Sequence, residues 1–132
     1  DFKLQIATPV GYEANAALIA EAGERLSISN DPVTAATGAD LVTTDVFASM
    51  GQEAEQEERL RHFAGFQVNH ALMAHAADKA LFMHCLPAHR DEEVSGELME
   101  DENISVVWDE AENRLHAQKA LMVFLLEASK AA

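Results

Sequence analysis

Short apolar segments rich in β-branched residues alternate along this chain with stretches of helical periodicity. The predicted strands cover residues 4–8, 26–29, 41–44, 80–84 and 104–108. Helices are predicted over 13–24, from Pro32, over 53–63, over 69–77 and over 112–129. Strands separated by helices favour βαβ crossovers and a parallel sheet covered on both faces. The sequence therefore predicts an α/β fold with a mostly parallel sheet of about five strands.

Composition restricts the partners of this fold. The chain has 132 residues, enough for one domain, with 9 Lys and Arg against 23 Asp and Glu and a formal net charge of -14. Such a surface repels phosphate backbones and anionic lipids, so neither nucleic acid nor a membrane is an expected partner. One cysteine and no apolar run of about 20 residues fit a cytoplasmic protein.

Three polar clusters follow the predicted third, fourth and fifth strands. They are Asp45 with Ser49-Met50-Gly51, then Cys85-Leu86-Pro87, and finally Glu112-Asn113-Arg114. In open parallel sheets, ligands bind beyond the carboxyl ends of the strands. We therefore expect the three clusters to share one rim.

Several interpretations of Cys85 remain open from the residues alone. A lone cysteine is often a small buried hydrophobe. His84, Cys85 and His89 lack the ligand number and spacing of a structural zinc site. A nucleophile would need a base, but successive strand residues point to opposite faces, so His84 should not face Cys85. Its place at a strand end favours contact with a ligand.

The other two clusters also have ordinary interpretations. Asp45 could be a cap or turn residue, and Ser49-Met50-Gly51 an ordinary turn. Arg114 falls near the start of the predicted last helix, where the macrodipole disfavours a cation. A bound anion would offset that cost. A surface ion pair with Glu110 or Glu112 is the alternative.

Several motifs resemble the ornithine-binding half of ornithine carbamoyltransferases. They are HCLPAHR (84–90), DVFASMGQE (45–53) and DEAENRLHAQKALM (109–122), with IATPVGYEAN (6–15) and FQVNHALM (66–73) as secondary matches. The resemblance implies a Rossmann-like domain that transfers a carbamoyl group from carbamoyl phosphate to the δ-amine of L-ornithine. Citrulline and phosphate are the products, in arginine biosynthesis or the arginine deiminase pathway. No cofactor or metal is implied.

The resemblance also implies roles for individual residues. Asp45 would hold the ornithine α-amino group, with Ser49 and Met50 completing that site. Cys85 would be catalytic and lie against the δ-amine, where the thiol of the family is often described as the proton acceptor. Cys85 and Leu86 would also contact carbamoyl phosphate, and the catalytic Arg114 would polarise its carbonyl oxygen. Phe47 stands where the family usually has tryptophan, and Asp91 where it usually has glycine.

Other family motifs are absent. The Ser-Thr-Arg-Thr-Arg and His-Pro-x-Gln motifs of the carbamoyl-phosphate domain do not occur, nor does the Gly-Asp-x-Asn-Asn strand that opens the ornithine domain. Residues 1–132 are therefore predicted to be a partial ornithine-binding domain, without its first βα unit and inactive without the N-terminal half. The alternative is a non-catalytic amino-acid-binding or interaction module derived from the family.

The missing strand has a structural consequence. In the family it would lie between the strands at 3–8 and 40–44, and its absence would leave two edges with unpaired backbone groups. Each buried unpaired group costs about 1–3 kcal/mol, and exposed edges are templates for pairing. We therefore expect the two edges to close against each other or the chain to self-associate.

Overall fold

The computed structural model describes residues 2–48 and 53–130, which form four short strands and six α-helices. The strands are β1 (Leu4–Ala7), β2 (Leu26–Ser29), β3 (Leu41–Thr44) and β4 (Leu81–His84). The helices are α1 (Ala16–Ala22), α2 (Pro32–Ala36), α3 (Glu53–His62), α4 (His70–Met73), α5 (Gly96–Met99) and α6 (Val107–Lys130), and a 3-10 turn over Gly23–Arg25 follows α1. No described helix combines the length and apolar character needed to cross a bilayer.

The strands form two parallel pairs instead of one five-stranded sheet. β1 pairs with β2 and β3 pairs with β4. Within the described residues, β1 and β3 are not hydrogen-bonded to each other, so the expected closure of the two edges does not occur. The parallel pairing and the helix connections were predicted correctly, but the single continuous sheet was not.

The predicted fifth strand is reduced to one parallel bridge. Phe82 N–H donates to the carbonyl of Ile104 (2.9 Å), and Val106 N–H donates to the carbonyl of Phe82 (2.9 Å). α6 then begins at Val107, so Trp108 is helical. The apolar run 104–108 resembles a strand, but Asp109 and Glu110 fall in the first turn, where the helix dipole favours acidic side chains.

The short helices begin at side chains that satisfy their free backbone N–H groups. Asp31 accepts from the N–H groups of Val33 and Thr34 at the start of α2, with Pro32 next to it, as the sequence predicted. The Asn15 side chain caps α1, which is shorter than expected at both ends. α4 is also shorter than its predicted range, ending at Met73.

The apolar core surrounds the β3–β4 pair. Phe82, Val94, Leu98 and Val107 are fully buried. Val68, Met73, Ala80 and Met99 complete the cluster. Phe82 lies between Val42 of β3 and Ser105 of the bridge, which places the last residues of β4 beside this core.

Asp91 stands where the resemblance implies a glycine. Its φ is +66°, a conformation that glycine adopts without steric cost. Aspartate tolerates this region better than most residues. Its side-chain Oδ1 also accepts a hydrogen bond from Gly96 N–H (3.0 Å), at the start of α5. The substitution is therefore compatible with the local backbone.

Candidate active site

The register of β3 and β4 brings Asp45 and Cys85 to the same level. Thr44 pairs with His84 at the carboxyl ends of these parallel neighbours. The next residue on each strand is therefore Asp45 on one side and Cys85 on the other, as expected for a rim site. Asp45 is exposed, and its Oδ1 accepts from the N–H of Val46 (2.8 Å).

The Cys85 thiol is in an acidic environment. The residue is exposed, but partial burial of the sulfur raises its pKa, and the nearby Asp45 raises it further through its charge and a hydrogen bond. The charge of Glu110 acts in the same direction. The group is therefore a protonated thiol at neutral pH and a weak nucleophile.

Arg114 connects α6 to the loop after β4. Its Nη1 donates a hydrogen bond to the backbone carbonyl of Cys85 (3.1 Å). A guanidinium carries five N–H donors in a planar fork, so this bond leaves others for a ligand. Within the described residues Arg114 forms no ion pair, so the alternative interpretation, a surface pair with Glu110 or Glu112, does not hold there.

Arg114 does not lie in the first turn of its helix, contrary to the prediction. α6 begins at Val107, so Arg114 lies two turns inside the helix, beyond the first turn in which the dipole acts. Its position is instead explained by the hydrogen bond to the Cys85 carbonyl.

A shallow open groove of about 390 Å³ lies beside Arg114. The groove is lined by Met83, Val106, Asp109, Glu110, Asn113, Arg114 and Ala117. Neither Asp45 nor Cys85 lines this groove, so it reaches only the Arg114 side of the rim.

Leu86 completes the part of the site that the structure describes. It is half-buried, packs against the core and has a positive φ of 54°. Asp45, Cys85, Leu86 and Arg114 thus lie together. Ser49 and Met50, predicted for the same site, fall outside the described residues.

Glu93 is buried against His84, a contact that the sequence analysis did not predict. His84 and Cys85 point to opposite sides, as the strand alternation predicted, and His84 is buried with Glu93. Glu93 lies four residues after His89 in the sequence, a spacing that is not typical of any particular kind of site.

A possible cation-binding cluster lies next to this pair, because His89, Glu92 and Glu93 are close enough to one another to hold a cation. Glu93 already accepts hydrogen bonds from two groups, and we assign no metal to this cluster.

The geometry around Asp45 allows a first test on the chain alone. Asp45→Asn removes a negative charge beside Cys85, so the pKa of the thiol should fall and the thiolate fraction at pH 8 should rise. We expect the reaction with Ellman's reagent to become several-fold faster, and the single cysteine makes this readout specific. Asp40→Asn makes the same change at the opposite end of β3 and should leave the rate unchanged. Equal rates in the wild type and Asp45→Asn would contradict this environment for the thiol.

Comparison with known proteins is consistent with this geometry. Residues 1–125 match the model for the Asp/Orn binding domain of aspartate/ornithine carbamoyltransferases. Ornithine carbamoyltransferase from Methylococcus capsulatus is 63% identical over 128 residues, covering 97% of this chain and 43% of the relative. The corresponding protein of Chromohalobacter salexigens is 61% identical over 126 residues, covering 96% and 41%. The chain therefore spans about two fifths of the length of these curated relatives.

Solved structures give the same result. Ornithine carbamoyltransferase from Pyrococcus furiosus superposes with a TM-score of 0.80 at 52% identity, covering 92% of this chain and 41% of that chain. The anabolic enzyme from Campylobacter jejuni superposes with a TM-score of 0.86 at 34% identity, covering 96% and 44%. This chain belongs to the aspartate/ornithine carbamoyltransferase family and matches its Asp/Orn binding domain.

Proposed function

We propose that this chain is the ornithine-binding part of an ornithine carbamoyltransferase, which carbamoylates the δ-amine of L-ornithine. The observation that carries the proposal is the meeting of three distant residues at one rim. Asp45 acts on the Cys85 thiol, and Arg114 holds the Cys85 carbonyl at 3.1 Å. The carboxylate and the protonated thiol are suited to a substrate with two amines. The guanidinium is suited to a carbonyl oxygen that gains negative charge.

The amino-acid substrate would be oriented by its α-amino group. Asp45 is an exposed carboxylate at the end of β3 and can pair with an ammonium group. Ser49 and Met50 are proposed to complete this site. The δ-amine would then lie towards Cys85, one strand away. Holding both substrates in this orientation supplies a large part of the rate gain in a two-substrate transfer.

The transfer step requires a neutral amine and stabilisation of negative charge. The δ-ammonium, with a pKa near 10, must lose a proton before its nitrogen attacks the carbamoyl carbon. That first proton goes to solvent. The new C–N bond then forms and charge grows on the carbamoyl oxygen, and as the C–O bond to phosphate breaks, the nitrogen loses its second proton to the departing phosphate. Arg114 would stabilise that oxygen. Cys85 and Leu86 would contact the carbamoyl phosphate, and no covalent enzyme intermediate is needed.

A second domain is proposed to supply the phosphate contacts. The chain corresponds to about two fifths of its relatives, and α6 exposes a long apolar surface that a partner would cover. This surface includes Leu115, Leu121, Met122, Val123, Phe124, Leu125 and Leu126. Within this proposal the chain is a partial domain, inactive by itself, and acts in the cytoplasm.

Reconstitution tests the proposed function. Citrulline and phosphate are measured with the chain alone and after mixing with the N-terminal fragment of a relative, which comprises the carbamoyl-phosphate-binding domain and the βα unit that follows it. We expect product only in the mixture, at a rate that saturates with L-ornithine. The N-terminal fragment alone is the control. Ornithine binding without product in any mixture would count against catalysis and favour a non-catalytic binding module.

The unpaired strand edges predict the behaviour of the isolated chain. β1 and β3 each have one strand neighbour within the described residues, so each has an edge available for pairing. We expect the 132-residue chain to self-associate, with a sedimentation coefficient that rises with concentration. The carbamoyl-phosphate-binding domain is added as a control, because it would cover α6 but not these strand edges. Self-association through the edges should therefore persist after its addition. A monomer at all concentrations would contradict the prediction.

A further inference from the structure

A buried polar pair lies directly behind the loop that carries Cys85. The side chains of His84 and Glu93 are both completely inaccessible, and His84 Nε2 lies 3.1 Å from Glu93 Oε1. Burying a carboxylate is costly unless hydrogen bonds compensate. Glu93 Oε1 also accepts the backbone N–H of His89 (2.6 Å), whereas Oε2 is buried without a partner among the described residues. A polar pair buried this deeply suggests a role beyond packing.

The hydrogen bonds determine which nitrogen of His84 carries the proton. The backbone N–H of Leu86 donates to His84 Nδ1 (3.0 Å), so Nδ1 must be unprotonated. The ring proton is therefore on Nε2, from which it is donated to Glu93. The ring thus carries its one proton on the nitrogen that faces Glu93. Because both ring nitrogens are occupied, His84 is not available as a base for the Cys85 thiol.

The acceptor at Nδ1 supports a strained backbone. Leu86 has a φ of +54°, a left-handed conformation that is sterically unfavourable for a residue with a side chain. Its N–H bond to His84 helps to hold this conformation, and Cys85 lies between the two residues. The Cys85 carbonyl is in turn held by Arg114. The loop is thus fixed from the interior by His84 and from α6 by Arg114.

We propose that Glu93 and His84 are a positioning pair, in which Glu93 selects the Nε2–H tautomer of His84 so that Nδ1 can fix the Cys85–Leu86 loop. The role in catalysis rests on the proposed function, because this loop would carry the carbamoyl-phosphate contacts. Neither side chain touches a substrate. The pair acts through the backbone.

The structural part of the proposal is tested on the chain alone by NMR. Long-range ¹H–¹⁵N spectra should show His84 as the neutral Nε2–H tautomer. Glu93→Gln keeps an oxygen acceptor of the same shape and should retain it. Glu93→Leu removes the acceptor and should give a mixture of tautomers, with Cys85 reacting several-fold faster with Ellman's reagent. Glu92→Leu, next to it in the sequence, is the matched control and should change neither readout.

The catalytic part is tested in the reconstituted enzyme. A loop misplaced by about 1 Å can lower turnover up to about 100-fold. We expect Glu93→Leu to lower kcat at least tenfold, with ornithine affinity, which depends on Asp45, changed less than threefold. Glu93→Gln should restore most of the turnover. A variant with wild-type kcat would overturn the catalytic role.

Other outcomes separate the two proposals. An Nδ1–H or doubly protonated His84 in the wild type would overturn the positioning pair, even if Glu93→Leu failed to fold. The positioning pair would also be overturned if a folded Glu93→Leu chain kept both the Nε2–H tautomer and the wild-type rate of thiol reaction. A wild-type mixture that makes no citrulline would overturn the proposed function and with it the catalytic part, while the spectra still decide the structural part.

Discussion

Arg114→Ala should lower the turnover of the reconstituted enzyme about 100-fold or more. The guanidinium would act mainly on charge that develops in the transition state, and loss of one such contact typically costs this much. The measurement is citrulline formation at saturating concentrations of both substrates. Because Arg114 also holds the Cys85 carbonyl, thermal unfolding of the variant chain is measured in parallel. An exposed hydrogen bond contributes little to stability, so the unfolding temperature should change little.

Two further variants control for this result. Arg61→Ala removes an exposed arginine from α3 and should leave turnover unchanged. Cys85→Ser keeps a group of similar size with hydrogen-bonding capacity, so its loss should be smaller than that of Arg114→Ala. Full turnover of Arg114→Ala at saturating substrates would exclude Arg114 from the reaction centre.

Asp45→Asn should weaken L-ornithine binding about 30-fold, with the fold unchanged. Truncating one partner of a buried charge pair costs about 2–5 kcal/mol. Asp45 is exposed in this structure, so solvent screening favours the lower end of that range, about 2 kcal/mol. Asparagine keeps the shape and the carbonyl oxygen that Val46 N–H needs, but loses the charge. Calorimetry with L-ornithine on the reconstituted enzyme measures the difference.

The matched control for Asp45 is the aspartate at the other end of β3. Asp40→Asn has the same change of charge just before β3, far from the strand end, and should bind L-ornithine like the wild type. Equal affinities for the wild type and Asp45→Asn would remove Asp45 from the amino-acid site. Equal losses in both variants would show that net charge, not a local contact, controls binding.

Local sequence patterns determined four of the five predicted strands and the places of Asp45 and Cys85 directly after two of them. The apolar runs before Asp45 and Cys85 define β3 and β4, and Asp31-Pro32 defines the start of α2. These signals are short-range, because they depend on backbone propensity and on side chains that cap nearby N–H groups. The prediction that polar groups follow the strand ends needed only the rule for parallel sheets.

Tertiary structure decided the features that depend on distant neighbours. Whether residues 104–108 become a strand depends on pairing with Phe82, and only one bridge forms before α6 begins. The division into two sheets likewise depends on which edges find partners. The burial of Glu93 against His84 joins residues nine positions apart through a turn. No propensity encodes such a contact, since its energy arises only when packing removes both side chains from water.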